Sequence, residues 1–154
     1  AEELKALVDE TCINRFLVLY ACNGREEPRW VNCVFRYPPA PKGVSDYIHY
    51  EMDTDYKSRL FGLFSSGPMY EVVAHMVNSK IRATYESEGV MATYWVKLAK
   101  FTLRRSGAKV WYFCSWSTDE GAVIDESVRS RCLALSNRIA WIAEELQQVG
   151  PMQP

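Results

Sequence analysis

The sequence lacks the motifs that carry most catalytic and nucleotide chemistry. Its 154 residues include two histidines, His49 and His75, and neither has a serine, cysteine or carboxylate at a spacing that indicates a catalytic triad. Its glycines form neither a GxGxxG motif nor a Walker loop, so no nucleotide site is indicated. We therefore expect no catalytic residue, no metal and no cofactor, which favours a protein that is not an enzyme.

Strong net charge and long apolar runs are absent too. The formal net charge is −1 and the pI about 6.2, so no basic field attracts nucleic acid, which we do not expect as a partner. No apolar run reaches the roughly 18 to 20 residues of a transmembrane segment. The cysteines form no CxxC pair and no zinc-binding spacing, which predicts reduced thiols and an intracellular protein, cytoplasmic or organellar. They are Cys12, Cys22, Cys33, Cys114 and Cys132.

The composition and turn signals indicate one globular domain over residues 1–154. Hydrophobic residues make up 48% and charged residues 24%, enough for a real core. Residues 1–37 predict a helix followed by a hairpin, with its turn at Asn23-Gly24. Three prolines make residues 38–45 a linker. Residues 46–150 form the predicted core of the domain.

Within that core, alternation of apolar and polar residues predicts a strand over 46–53. Helical spacing predicts two short helices, over 56–65 and 69–77, and strands are predicted over 80–86, 93–104 and 110–117. Asp125 can cap a final helix that ends before Gly150-Pro151. The fold class is therefore α+β: a curved antiparallel sheet with two short helices and a long C-terminal helix packed across it.

Aromatic side chains are the most suggestive feature of the sequence, at 13% of all residues. The strand around Trp111 is apolar on both faces, so both should be covered, or one should face a cavity. A filled core explains this pattern most simply, and a pocket between sheet and final helix is the alternative. The candidate pocket residues are Trp95, Phe101, Trp111, Phe113, Trp116, Leu135, Ile139 and Ile142.

The segment Lys109-Val-Trp-Tyr-Phe-Cys-Ser-Trp116, followed by an acidic loop and a long helix, resembles the end of the helix-grip superfamily, which includes START and polyketide-cyclase-like proteins. The region from Tyr47 to Glu86 is similar to the opening βαα unit of that family. The resemblance implies an apolar cavity for a lipid-like molecule between the sheet and the C-terminal helix.

A second resemblance is to the actin-depolymerising-factor homology domain, through Lys109–Trp116 followed by Ser127–Leu133. It implies that basic residues of the last helix bind a partner protein. The candidate residues are Arg129, Arg131 and Arg138.

The leading functional hypothesis is non-catalytic binding of a hydrophobic or lipid-like ligand between sheet and C-terminal helix. The alternative is a protein-interaction subunit of a larger assembly, which uses the basic helix face and exposed aromatic residues and for which actin is one candidate partner. An enzyme acting within the pocket comes third.

Overall fold

The computed structural model describes residues 2–22, 28–39, 50–103 and 106–149, with side chains described as far as residue 142. Its helices and strands follow one another in a mixed order along the chain. They are α1 (Glu2–Glu10), β1 (Arg15–Cys22), β2 (Trp30–Tyr37), β3 (Tyr50–Glu51), α2 (Thr54–Ser66), β4 (Met69–Val72), a 3-10 turn (Val73–His75), α3 (Lys80–Glu88), β5 (Ala92–Thr102), β6 (Lys109–Thr118) and α4 (Glu126–Val149).

The strands form one six-stranded sheet in the order β3-β2-β1-β6-β5-β4. Every neighbouring pair is antiparallel, so the N-terminal hairpin and the later strands share the same sheet. Helices α2 and α3 cover one face of the sheet, and α1 and α4 cover the other. The predicted α+β class, with an antiparallel sheet and a long C-terminal helix across it, is confirmed.

Two of the predicted elements have the wrong secondary structure. Residues 69–77, predicted as a helix, form β4 and the 3-10 turn, because Gly67 and Pro68 end α2 and the next residues pair with β5. Residues 80–86, predicted as a strand, lie in α3. The Ser79 side chain accepts a hydrogen bond from the Arg82 backbone N–H, and Gly89 ends the helix in the left-handed conformation.

The other predicted elements lie close to their expected positions. Asp125 caps α4 as predicted, accepting a hydrogen bond from the Val128 N–H at 2.9 Å. Only residues 50–51 of the strand predicted over 46–53 are seen as strand, and its earlier part, including His49, lies outside the described residues. The turn predicted at Asn23-Gly24 also lies outside them.

The two faces of the sheet carry separate cores. On the α2–α3 face, Trp95, Trp111 and Phe113 are buried among aliphatic and tyrosine side chains. On the α1–α4 face, Cys114 and Trp116 are buried against the helices. The alternation of β6 therefore places apolar side chains on both faces, and both are covered.

A β-bulge in β2 decides which of its side chains face α1 and α4. Val18 pairs with Phe35 and Leu19 pairs with Cys33, so Val34 is the extra residue. Because of this bulge, Cys33 packs against the α2–α3 core while Phe35 contacts Phe16 on the opposite face. Without the bulge, residues two apart in a strand would point to the same face.

Candidate functional site

An apolar pocket lies on the α1–α4 face, beside β1 and β2. Its volume is about 540 Å³, within the usual range for small-molecule sites. Apart from one ion pair and one tyrosine, its lining is apolar. The lining residues are Glu3, Leu4, Phe16, Val18, Phe35, Tyr37, Leu135, Arg138, Ile139 and Ile142.

The floor of this pocket is built by the two N-terminal strands. Phe16 is 1% exposed, and its ring lies 4.1 Å from that of Trp116 and 6.1 Å from that of Phe35. Phe35 itself is 48% exposed and Ile142, across the pocket on α4, is 52% exposed. The pocket therefore has a rigid aromatic base and opens to solvent between β2 and α4.

One wall is formed by α4, whose lining residues recur at positions 135, 138, 139 and 142, the spacing of a single helix face. The rotation of this helix is fixed by Ser136, which is fully buried. Its Oγ accepts a hydrogen bond from Trp116 Nε1 at 2.9 Å and lies 3.3 Å from Cys114 Sγ. The same hydroxyl donates to the Cys132 carbonyl oxygen at 2.7 Å.

The other wall is the first turn of α1, which is tied to α4 by ion pairs. Arg138 pairs with Glu3 at the pocket rim, and Arg131 pairs with Glu10 at 3.2 Å, farther along both helices. The Glu3 and Arg138 side chains are 57% and 60% exposed. Solvent screens such pairs, so each stabilises the fold by about 1 kcal/mol or less. The buried side chain of Leu4 holds this end of α1 against the sheet.

The structure distributes the eight predicted pocket residues over both faces of the sheet. Leu135, Ile139 and Ile142 line the pocket beside α4. Trp116 lies on the same face, beneath Phe16, and Phe101 contacts Tyr112 there at 5.8 Å.

Trp95, Trp111 and Phe113 lie on the opposite face, where Trp95 and Phe113 are in ring contact at 5.3 Å. The predicted set therefore does not form one site.

Sequence reasoning missed the sheet side of the pocket. The lining residues Phe16 and Val18 alternate in an apolar run that predicted a buried strand, but nothing in that run indicated which face they occupy. Phe35 and Tyr37 reach this face only because of the bulge at Val34, which no local residue pattern indicates.

On the α2–α3 face, the gap between α2, β4 and β5 is closed by its own side chains. The gap between α2, β4 and β5 leaves no space for a water molecule among Arg59, Met69, Glu71, Met76, Tyr85, Thr93 and Trp95. Trp95 Nε1 donates a hydrogen bond to the Tyr85 hydroxyl at 2.8 Å. Arg59 also pairs with both Asp55 and Glu71. These side chains fill the gap between α2, β4 and β5.

Each arginine proposed to bind a partner protein already has a contact inside the chain. The Arg129 guanidinium lies 4.4 Å from the ring centre of Tyr70, and Arg131 and Arg138 pair with α1 as described. Their charges are thus partly used to hold α4 against the rest of the fold. Partner binding by these residues stays a prediction.

The cysteines are all free, and burial is the main cause that raises the pKa of each thiol. For Cys114, burial raises the pKa to about 12, although hydrogen bonds from Ser136 and Trp116 oppose this. These thiols are therefore protonated at neutral pH and weak as nucleophiles.

The described residues contain neither a metal-binding cluster nor a membrane-spanning helix. No cluster of histidine, cysteine and carboxylate side chains among them has the geometry to hold a metal ion. None of their helices combines the length and hydrophobicity that a membrane crossing requires.

The fold is shared with solved GAF-domain structures. The GAF domain region of a Geobacter sulfurreducens PCA membrane protein superposes with a TM-score of 0.60 and 11% identity, over 93% of this chain and 89% of that chain. A far-red cyanobacteriochrome photoreceptor gives 0.65 and 9%, over 95% and 84%. The phycocyanobilin-bound GAF domain of a cyanobacterial phytochrome gives 0.56 and 11%, over 96% and 88%.

These likenesses establish the fold alone. No protein-family model matches the sequence, and no curated protein matches it.

Both sequence-based resemblances are wrong, because the structural neighbours are GAF domains and not helix-grip or actin-depolymerising-factor domains. The region from Tyr47 to Glu86 contains β4 between α2 and α3, so its described part is not a βαα unit. A second layer of helices also covers the sheet face away from α4, whereas a helix-grip sheet wraps round its terminal helix.

Proposed function

We propose that this chain is a non-catalytic ligand-binding domain, which takes a small apolar molecule into the pocket between β1, β2, α1 and α4. The observation that carries the proposal is an open pocket of about 540 Å³ with an almost wholly apolar lining. Burying such surface against a ligand releases about 25 cal/mol per Å², which is enough for useful affinity. Glu3 is the one ionisable acid in the lining, and it is paired with Arg138.

The bilin named for the phytochrome domain does not fit this pocket. A buried tetrapyrrole needs hydrogen-bond partners for its ring nitrogens, since unpaired polar groups are costly to bury. The described lining offers only Glu3, Arg138 and the Tyr37 hydroxyl as polar groups. The gap between α2, β4 and β5 on the other face has no room for a water molecule. A smaller apolar or lipid-like molecule suits the lining better.

A neutral fluorescent probe tests the proposal. N-phenyl-1-naphthylamine should bind the wild-type protein with increased emission, and Ile142→Glu should weaken its binding about tenfold, because a charge replaces apolar contact area. Val77→Glu is the matched control: Val77 is 62% exposed and outside the pocket lining. Equal affinity of wild type and Ile142→Glu, or absence of probe binding to wild type, would contradict the proposal.

A further inference from the structure

The rim of the pocket carries a single pair of opposite charges. Arg138 is the only cation in the lining, and Glu3 is its ion-pair partner among the described residues. Everything deeper in the described lining is apolar apart from the Tyr37 hydroxyl. A ligand that fills the apolar part must therefore end beside this pair.

The geometry points to an amphipathic carboxylate as the ligand: we infer that its apolar body fills the pocket and its carboxylate replaces Glu3 on Arg138. This inference rests on the proposed function and names the class of molecule for the same site. Glu3 already pairs its carboxylate with Arg138 at the pocket rim. The carboxylate of the ligand would take the same position on Arg138.

The arginine belongs to the wall itself. Arg138 follows Leu135 by three residues and precedes Ile142 by four, so all three side chains share one face of α4. Its guanidinium is always charged and presents a planar fork that matches a carboxylate. A ligand that lies against Leu135 and Ile142 thus reaches this fork without any change in the helix.

Glu3 can leave Arg138 at little cost. Both side chains are more than half exposed, and a screened pair of this kind is weak. Glu3 also lies in the first turn of α1, where the free N–H groups of the helix favour a carboxylate without Arg138. Arg138, in the middle of α4, has no such alternative, which favours an anionic over a cationic ligand head.

The test uses decanoate and 1-decanol as displacers of N-phenyl-1-naphthylamine at pH 7. They have the same chain length and differ in the charge of the head. Arg138→Gln should weaken decanoate severalfold, up to about fivefold, the loss typical of one exposed ion pair, and leave 1-decanol unchanged. Glu3→Gln should strengthen decanoate severalfold, because it removes the competing carboxylate, and again leave 1-decanol unchanged.

Arg131→Gln is the matched control. Arg131 forms the other exposed ion pair between α4 and α1, with Glu10, but it does not line the pocket. This variant should change neither displacer. If it weakens decanoate as much as Arg138→Gln does, or if Arg138→Gln affects both displacers equally, the inference is overturned while 1-decanol binding still supports the proposed function. If neither the probe nor 1-decanol binds wild type, the proposed function itself fails.

Discussion

The Ser136→Ala substitution tests how α4 is held against the sheet. Ser136 is fully buried, and its Oγ accepts the 2.9 Å hydrogen bond from Trp116 Nε1. Alanine would leave that indole N–H buried without a partner, which costs about 1–3 kcal/mol. Alanine also has the higher helix propensity, worth about 0.5 kcal/mol. We therefore expect the free energy of unfolding to fall by about 1–2 kcal/mol.

Urea titration followed by tryptophan fluorescence measures this change, provided that the slope with denaturant stays constant. Ser130→Ala is the control, since Ser130 lies on the exposed side of the same helix and such substitutions change stability by about 0.5 kcal/mol or less. A fall in stability for Ser136→Ala no larger than for Ser130→Ala would refute the role of this hydroxyl. Because Ser136 also sets the rotation of α4, the variant should bind the naphthylamine probe more weakly.

Two further predictions concern the buried thiol and the bulge. Burial raises the pKa of Cys114 from its ordinary value of 9.0 to about 12. The folded state therefore holds the thiol proton more tightly than the unfolded state does. The stability that this thiol contributes is complete below pH 9 and is lost as the pH rises from 9 towards 12, by about 1.4 kcal/mol per pH unit. Urea titrations at pH 8 and 10.5 should show a smaller loss for Cys114→Ala than for wild type, and equal losses would disprove this effect. Deleting Val34 should remove the bulge but leave Phe35 facing the pocket, because Cys33 and Phe35 already pair with the adjacent residues Leu19 and Val18 of β1. The deletion variant should therefore bind the probe as wild type does, as should Val34→Ser, and loss of binding on deletion would contradict the assignment of Val34 as the extra residue.

Prediction from the sequence is accurate for the elements whose pattern of apolar residues is compatible with only one type of secondary structure. β6 is apolar on both of its faces. α4 begins with a capping aspartate and continues in a long, regular stripe of apolar residues. The helix predicted over residues 69–77 is wrong. Met69, Val72, Val73 and Met76 fit a helical stripe, but residues 69–72 pair with β5 as a strand. In α3, Ile81 and Tyr85 are compatible with either period, and the Ser79 cap and Gly89 were the signals overlooked.

The candidate site was predictable only on its helix side. Leu135, Ile139 and Ile142 follow from the helical stripe of α4, which any helix packed on a sheet would present. The strands opposite this stripe depend on sheet order: β1 lies next to β6, a pairing between distant parts of the chain that local patterns do not encode. The bulge then adds Phe35 to the site.

The pocket lies where α1 leaves part of the sheet uncovered. On the α2–α3 face, aromatic side chains of the sheet and of α2 meet directly, as in the contact of Tyr56 with Trp95 at 5.3 Å, and the gap between α2, β4 and β5 is filled. On the other face, the nine residues of α1 span only about 14 Å, which is too short to cover both β1 and β2 along their length. Phe35 therefore stays half exposed on the floor of the pocket, and the apolar surface left there is a consequence of how the helices lie on the sheet. Because the GAF-like fold by itself leaves the ligand undetermined, the proposed ligand class rests on the chemistry of this uncovered floor and its charged rim.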